Sequence, residues 1–175
     1  MVYKDLYHHR RRQWCRIIPF LSILKEIDPY LGVIIDTNDI LIEATTQNCI
    51  SANVSFTREI TLSGYKTEAT AKQVKELGYH VRMFYVGLDT LDDSLTRIQN
   101  RVRRGGHDIP HNDVTRRFSG RWEAVAKVLP YCDEAEFYDN DNGFVKVAEY
   151  RNCEFRTIGM RSPNWILDLQ NFLKA

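Results

Sequence analysis

The sequence predicts an α/β fold with a mostly parallel sheet covered by helices. Residues 33–35 are apolar and run directly into a polar stretch, which is typical of a short buried strand that ends at a ligand-binding edge. Residues 54–60 show the period of two of a strand, residues 65–77 show helical spacing, and residues 81–88 are almost continuously apolar. Strand, helix and strand in this order indicate a βαβ unit.

The last third of the chain predicts a hairpin followed by a helix. Residues 136–138 and 144–148 have strand character, and the residues between them readily accept positive φ. Ser162 and Pro163 are typical of a helix start. The apolar contacts of that helix are expected from Trp165, Leu167, Leu169, Phe172 and Leu173.

Composition indicates one domain of ordinary size. The chain has 175 residues, 43% of them hydrophobic, and a net charge of +1, which gives no general signal for nucleic-acid binding. The four cysteines are scattered without metal-ligand spacing, which favours reduced thiols in a cytoplasmic protein. We find no transmembrane run and no secretory signal, so we expect no membrane association. Residues 22–175 are expected to form the domain, preceded by an atypical basic segment at 1–21.

The basic character of that segment is concentrated in residues 8–16, His-His-Arg-Arg-Arg-Gln-Trp-Cys-Arg. Three interpretations are open. The first is a nucleic-acid-binding arm in which Trp14 stacks on a base. The second is a weak metal site at His8 and His9, and the third is a terminus without its own function.

Two predicted helices with seven arginines flank the turn at residues 104–110. Thr90 and Asp93 form a capping-box pattern at the start of the first helix. Its apolar stripe, which we expect to pack on the core, consists of Leu91, Leu95, Ile98 and Val102. Asn112 or Asp113 is expected to cap the second helix. The apolar row of the second helix consists of Val114, Phe118, Trp122, Val125 and Leu129.

The arginines of these helices have two possible roles. Guanidinium groups form bidentate bonds to phosphate, so two helices hinged at Gly105 and Gly106 could clamp a polyanion. Alternatively, these are ordinary solvated helix faces, in which the arginines pair with Asp92, Asp93 and Glu123.

A set of short motifs extends from residue 56 to residue 140. They are Phe-Thr-Arg-Glu-Ile-Thr-Leu-Ser-Gly at 56–64, Gly-Tyr at 78–79, Tyr-Val-Gly-Leu-Asp at 85–89, Arg97, Arg-Val at 101–102, Gly-Gly-His-Asp-Ile-Pro at 105–110, Arg-Arg-Phe at 116–118 and Tyr-Asp-Asn at 138–140. Together they resemble the zeta toxin and UDP-N-acetylglucosamine kinase family over about residues 22–150. The resemblance implies a P-loop-kinase-like fold with an arginine-bearing helical lid, which uses ATP and Mg²⁺ to phosphorylate the sugar of UDP-N-acetylglucosamine. It also implies an antitoxin-like protein partner.

The resemblance also implies roles for single residues. Glu59 and Thr61 match the Glu-x-Thr motif that binds the substrate, and His107 lies in the turn assigned to the nucleotide. The arginines that stabilise the transferred phosphoryl group fall among Arg97, Arg101, Arg116 and Arg117.

The family's catalytic-base motif, Asn-Thr-Asp-Glu, aligns with residues 36–39. This places Asn38 where the base aspartate is expected, and an amide does not accept a proton usefully. Asp36 and Asp39 are the neighbouring carboxylates that could substitute for it.

Two further features depart from the family. Gly-x-x-x-x-Gly-Lys-Ser/Thr does not occur in the sequence, so the residues that cradle the ATP phosphates are missing. Residues 40–52 are too short for the additional helix that family members carry there. Reading the codons of residues 8–16 one base forward can recover Ile-Ile-Ala-Gly-Val-Asn-Gly-Ala-Gly, and we hypothesise that the basic segment is a frameshifted P-loop. The gene sequence tests this directly.

Three functions follow from these observations. The first is a zeta-toxin-like kinase that is impaired or inactive because its P-loop is missing. The second is a catalytically silent fold that binds a nucleotide sugar or a protein partner through the arginine helices and Glu59. The third, which the near-neutral charge disfavours, is a nucleic-acid-binding module.

Overall fold

The computed structural model describes residues 20, 23–26, 28, 30–35, 41–62, 65–141, 143–160 and 162–175. Within these ranges the chain has an α/β fold with two sheets. The elements in chain order are β1 (Val33–Ile35), α1 (Ile42–Ser51), β2 (Phe56–Arg58), α2 (Tyr65–Glu76), β3 (Arg82–Gly87), α3 (Leu91–Val102), α4 (His111–Ser119), α5 (Arg121–Val128), β4 (Glu134–Asp139), β5 (Val145–Arg151), β6 (Glu154–Thr157) and α6 (Asn164–Lys174). The basic residues 8–16 lie outside the described residues.

The described strands form two separate sheets. β1 pairs with β2 in parallel, with Val33 opposite Phe56. In the second sheet β3 pairs with β4 in parallel, and β5 and β6 follow as antiparallel neighbours. The predicted α/β class is confirmed. Two of the four pairings are antiparallel, however, so the described strands do not form the single mostly parallel sheet that we expected. The reason is that β4, β5 and β6 are joined by tight turns, which bring consecutive strands together antiparallel.

β3 is covered on both faces, as its continuous apolar run predicts. Met83 belongs to the main core, which α2, α5 and α6 complete with Val74, Val125 and Trp165. Phe84 points the opposite way and packs with Phe20, Leu24 and Leu31 in a second cluster. The β3–β4 pair is therefore the centre of the described fold.

A ten-residue helix, α1, occupies the segment between β1 and β2. Residues 40–52 were expected to be too short for the additional helix of the resembled family, and β-branched residues lower the helix propensity of this stretch. Tertiary contacts stabilise it instead. The Thr46 side chain is fully buried against the rest of the protein, and its hydroxyl donates within the helix to the Ile42 carbonyl at 2.6 Å. Arg58 of β2 donates to Glu43 of α1 at 2.7 Å.

The second arginine-bearing helix is two helices rather than one. The break falls at Gly120, which separates α4 from α5. Glycine lowers helix stability by about 1 kcal/mol relative to alanine, which favours a break at this position. The apolar row continues on both sides of Gly120, so it did not reveal the break. α4 also begins earlier than predicted. Pro110 with φ −53° precedes it, and Asn112 and Asp113 lie inside the helix.

Candidate functional site

A cavity of about 300 Å³ opens at the C-terminal ends of β2 and β3. Residues 59–62, which follow β2, line it together with residues of β3. The helical side is formed by Ser94 and Ile98 of α3, Arg117 and Phe118 of α4, and Arg121 of α5. The carboxyl ends of parallel strands are the usual position of ligand sites in α/β sheets. We refer to this space as the arginine cavity.

α3 covers this cavity rather than the core. The predicted capping box is confirmed, because the Thr90 hydroxyl accepts from the Asp93 N–H at 3.1 Å and the Thr90 N–H donates to the Asp93 carboxylate at 3.2 Å. The prediction that the apolar stripe packs on the core is wrong for this helix. None of its side chains is fully buried and Val102 is exposed. Ile98 lines the cavity at the ends of β2 and β3 instead.

Arg121 is the most strongly held cation of the cavity. Its guanidinium carbon lies 3.5 Å from the centre of the Phe118 ring and 4.1 Å from the centre of the Trp122 ring. Its Nη1 donates to the Phe118 carbonyl at 2.6 Å. Burial lowers the pKa of Arg121 more than the nearby Tyr85 and Asp168 raise it. An arginine still stays charged at neutral pH, so the cavity holds a partly desolvated positive charge.

Arg117 supplies a second guanidinium to the same space. The Nε atoms of Arg117 and Arg121 are both buried without a hydrogen-bond partner. Among the residues that the structure describes, no carboxylate lies within 4.0 Å of either guanidinium. Glu59 is the acidic residue among those lining the cavity. The described lining residues therefore carry two positive charges and one negative charge, which suits an anionic ligand.

The other predicted arginines do not line this cavity. Arg97 donates to the Asn140 carbonyl at 2.7 Å and so ties α3 to the end of β4. Arg101 packs against Gly106, where an added Cβ would lie 2.6 Å from the Arg101 Cγ. Arg116 pairs with Asp113 at 2.8 Å with its side chain 66% exposed. Only Arg117, of the four arginines predicted to form the lid, lines the cavity.

The structure places Glu59 and Thr61 at the cavity wall. The Glu59 N–H donates to the Ile35 carbonyl at 3.1 Å, so Glu59 lies where β1 and β2 end together. Asp36, Asn38 and Asp39, the candidates for the base position, lie outside the described residues. His107 is exposed and is not part of the lining.

The sequence did not single out Arg121 as a site residue. It lies four residues after Arg117, a spacing that places two side chains on one side of a continuous helix. The Gly120 break interrupts that helix, and the stacking of Arg121 on Phe118 and Trp122 brings it back to the same cavity. The spacing was the available signal, and only the packing showed which way the side chain points.

Within the described ranges, no group of three or more His, Cys, Asp or Glu side chains is placed to hold a metal ion. Neither does any helix of those ranges have the length and apolar character needed to cross a membrane.

Comparison with known proteins gives one partial match. A 69-residue stretch is 36% identical to an uncharacterised protein of Haemophilus influenzae. The match covers 39% of this chain and 49% of that protein, so the chain spans about half the length of this relative. No family model matches the sequence, and no solved structure matches the chain. The relative's description names no activity, so the match carries no function over to this chain.

Proposed function

We propose that the arginine cavity binds the phosphorylated sugar of a nucleotide sugar of the UDP-N-acetylglucosamine class, without phosphoryl transfer. The observation that carries this proposal is the pair Arg117 and Arg121. Both arginines line the cavity with a buried, unpartnered Nε, and no carboxylate of the described residues lies within 4.0 Å of either guanidinium. A partly desolvated guanidinium is stabilised by an anionic partner, and a phosphate oxygen forms charge-assisted hydrogen bonds with it.

The residues after β2 supply hydrogen-bonding groups for the sugar. A Glu59 carboxylate accepts hydrogen bonds from sugar hydroxyls, and Thr61 can donate or accept one. Both line the same cavity as Arg117. A volume of about 300 Å³ lies at the lower end of the range for ligand sites, which suits a sugar with its adjoining phosphate. The rest of a nucleotide would extend outside.

The proposal includes a P-loop-kinase-like ancestry: the cavity lies at the carboxyl ends of parallel strands, and residues 59–62, Ile109, Arg117 and Phe118 of the resembling motifs line it. The transfer step lacks its usual groups. The sequence has no phosphate-binding Gly-x-x-x-x-Gly-Lys-Ser/Thr motif, and Asn38 stands where that family has its base aspartate. We therefore favour a binding protein over an active kinase that uses ATP and Mg²⁺.

Calorimetric titration of the full chain with UDP-N-acetylglucosamine tests the proposal. Replacing Arg117→Met removes a charge-assisted contact, which is worth about 1.5–3 kcal/mol, and should weaken binding by about tenfold or more. Arg116→Met is the matched control, because Arg116 is the adjacent residue on the same helix but is exposed and paired with Asp113. It should change the affinity less than twofold.

Two results would contradict this function. One is the absence of measurable binding by the unaltered chain, and the other is an equal loss of affinity in both variants. A parallel titration with Mg-ATP, together with an assay for phosphorylated sugar, distinguishes the alternatives. Formation of a phosphorylated product would show an active kinase.

A further inference from the structure

Tyr85 of β3 is held at the arginine cavity by three aromatic rings. It is half-buried and lines the cavity. The centroid of its ring lies 6.3 Å from that of Trp122, 5.9 Å from that of Phe137 and 5.8 Å from that of Trp165. Because the hydroxyl oxygen lies on the axis of the ring, these contacts fix the position of the hydroxyl as well.

The Tyr85 hydroxyl can form a hydrogen bond that no described residue uses. Tyrosine hydroxyls in buried positions usually have a hydrogen-bond partner. Among the residues that the structure describes, none forms a hydrogen bond with this hydroxyl, and its oxygen does not belong to the fully buried polar atoms that lack a partner. The hydroxyl therefore keeps accessible surface, and the arginine cavity is the space that Tyr85 lines.

Arg121 lies near Tyr85 but cannot accept its hydrogen bond. Burial raises the pKa of Tyr85 to about 12, and the charge of Arg121 lowers this pKa by less. Tyr85 is therefore a neutral phenol at physiological pH and can donate one hydrogen bond. A guanidinium group has no acceptor atom, so the bond needs an oxygen from elsewhere. An anionic ligand in the cavity would supply that oxygen.

We propose that the Tyr85 hydroxyl donates to the same phosphate as Arg117 and Arg121, an inference that rests on the proposed function of the arginine cavity. The three side chains belong to β3, α4 and α5, so the phosphate would be held from three elements at once. Phosphate oxygens accept several hydrogen bonds together, and the two arginines supply charge while Tyr85 supplies a neutral donor.

The same arrangement orients the ligand within the cavity. Glu59 and Thr61 follow β2 and also line the cavity. A carboxylate accepts hydrogen bonds from sugar hydroxyls and repels a phosphate. The sugar would therefore lie toward the end of β2, and its phosphate would lie toward Tyr85.

Calorimetric titration of the full chain with UDP-N-acetylglucosamine tests this role. Tyr85→Phe removes the hydroxyl and keeps the ring, so the aromatic contacts remain. Loss of one neutral hydrogen bond should weaken binding by about three- to tenfold. Tyr79→Phe is the matched control, because the Tyr79 hydroxyl lies 3.5 Å from the Cys49 and Val54 carbonyls and Tyr79 does not line the arginine cavity. It should change the affinity less than twofold.

Double variants distinguish a shared phosphate from a general loss of structure. With Arg117→Met added to Tyr85→Phe, the loss of affinity should be at least about twofold smaller than the product of the two single losses, since groups that share a partner are not additive. With Glu59→Gln added instead, the losses should multiply, because Glu59 acts on the sugar. The same behaviour in both combinations would overturn the shared phosphate.

An NMR signal of the unaltered protein gives a second measurement, in case Tyr85→Phe changes the fold. With tyrosine labelled by carbon-13 at Cζ, the Tyr85 resonance is the one that is absent from Tyr85→Phe. It should shift when UDP-N-acetylglucosamine is added, and the Tyr79 resonance should not. A Tyr85 resonance that stays unchanged in the saturated complex would overturn the inference.

Failure of this inference differs from failure of the proposed function. No binding of UDP-N-acetylglucosamine by the unaltered chain contradicts the proposed function and the role of Tyr85 with it. Binding that is equally tight in the unaltered chain and in Tyr85→Phe contradicts the role of Tyr85 alone.

Discussion

Trp165 and Asp139 are joined by a buried hydrogen bond, in which the indole Nε1 donates to the Asp139 Oδ1 at 3.1 Å. Trp165 is 0% exposed and Asp139 is 3% exposed. The Trp165 backbone N–H also donates to the Asp89 carboxylate at 3.0 Å. A single residue at the start of α6 therefore holds the ends of β3 and β4 together, next to the loop from which α3 begins.

Trp165→Phe should destabilise the protein by about 2–3 kcal/mol, because it removes a donor from a buried carboxylate and also reduces packing. Urea unfolding measures this change. Trp122→Phe is the control, since Trp122 stacks on Trp165 at 6.2 Å but is only partly buried. Its effect should be smaller, and an equal loss in the two variants would show that the hydrogen bond contributes little.

Gly87 lies directly against the Trp165 ring. A Cβ at this position would be 2.5 Å from two of the ring carbons, so Gly87→Ala should cost about 1–3 kcal/mol through overpacking. The comparison variant is Gly120→Ala, whose nearest neighbour would be the Arg116 carbonyl at an ordinary 3.5 Å. Since φ at Gly120 is −87°, alanine fits there and should be neutral or stabilise by up to about 1 kcal/mol. Thermal unfolding of both variants tests this difference.

Asp133 makes stability depend on acid pH. Its carboxylate accepts from Lys75 Nζ at 2.5 Å and from the Val81 N–H at 2.8 Å, which links α2 to the residues directly before β3 and β4. Burial raises the pKa of Asp133, but these hydrogen bonds and the charges of Lys75 and His80 outweigh it and hold the pKa below its usual value. The stabilisation is therefore full above the unfolded-state pKa and is lost as the pH falls through the folded-state pKa.

Asp133→Asn should accordingly lower the free energy of unfolding by about 1–2 kcal/mol at pH 6. The difference from the unaltered protein should shrink as the pH falls below about 4. Urea unfolding at several pH values between about 6 and 2.5 measures it. A difference that stays constant over this range would mean that the charge of Asp133 is unimportant.

Thr90 caps the helix that covers the arginine cavity. Thr90→Ala should cost about 1 kcal/mol through loss of the capping box. Because α3 supplies Ser94 and Ile98 to the cavity, the same change should also weaken binding of UDP-N-acetylglucosamine if the cavity is the site. Thr96→Ala, at an exposed position inside the same helix, controls for the loss of a hydroxyl and should be close to neutral in both measurements. Weaker binding without a change in helix stability would argue against a capping effect.

The features that the sequence revealed are those set by neighbouring residues. The capping box at Thr90 and Asp93 and the end of α2 before Gly78 depend on contacts three or four residues apart. The burial of β3 on both faces follows from an apolar run that no exposed strand would carry. The sequence also indicated that arginines would gather around Gly105 and Gly106, although it did not show which of them share a cavity.

The bounds of α1 and the break at Gly120 were beyond prediction for a different reason. The stretch 42–51 has weak helix propensity, and burial of Thr46 together with the bond from Arg58 to Glu43 stabilises the helix from outside. Gly120 sits in an apolar row that continues on both sides of it, so a straight helix and a broken one have the same pattern.

The sequence by itself determined the α/β class, the order of the main elements and the clustering of positive charge, because short-range periodicity and capping contacts fix these. The tertiary structure alone decided that Arg117 and Arg121 share a cavity with Glu59 while Arg97, Arg101 and Arg116 do not. It also decided that the described strands form two sheets, with β2 in one and β3 in the other. Both outcomes depend on packing between segments that are distant in the sequence, and such packing produces no periodic sequence pattern.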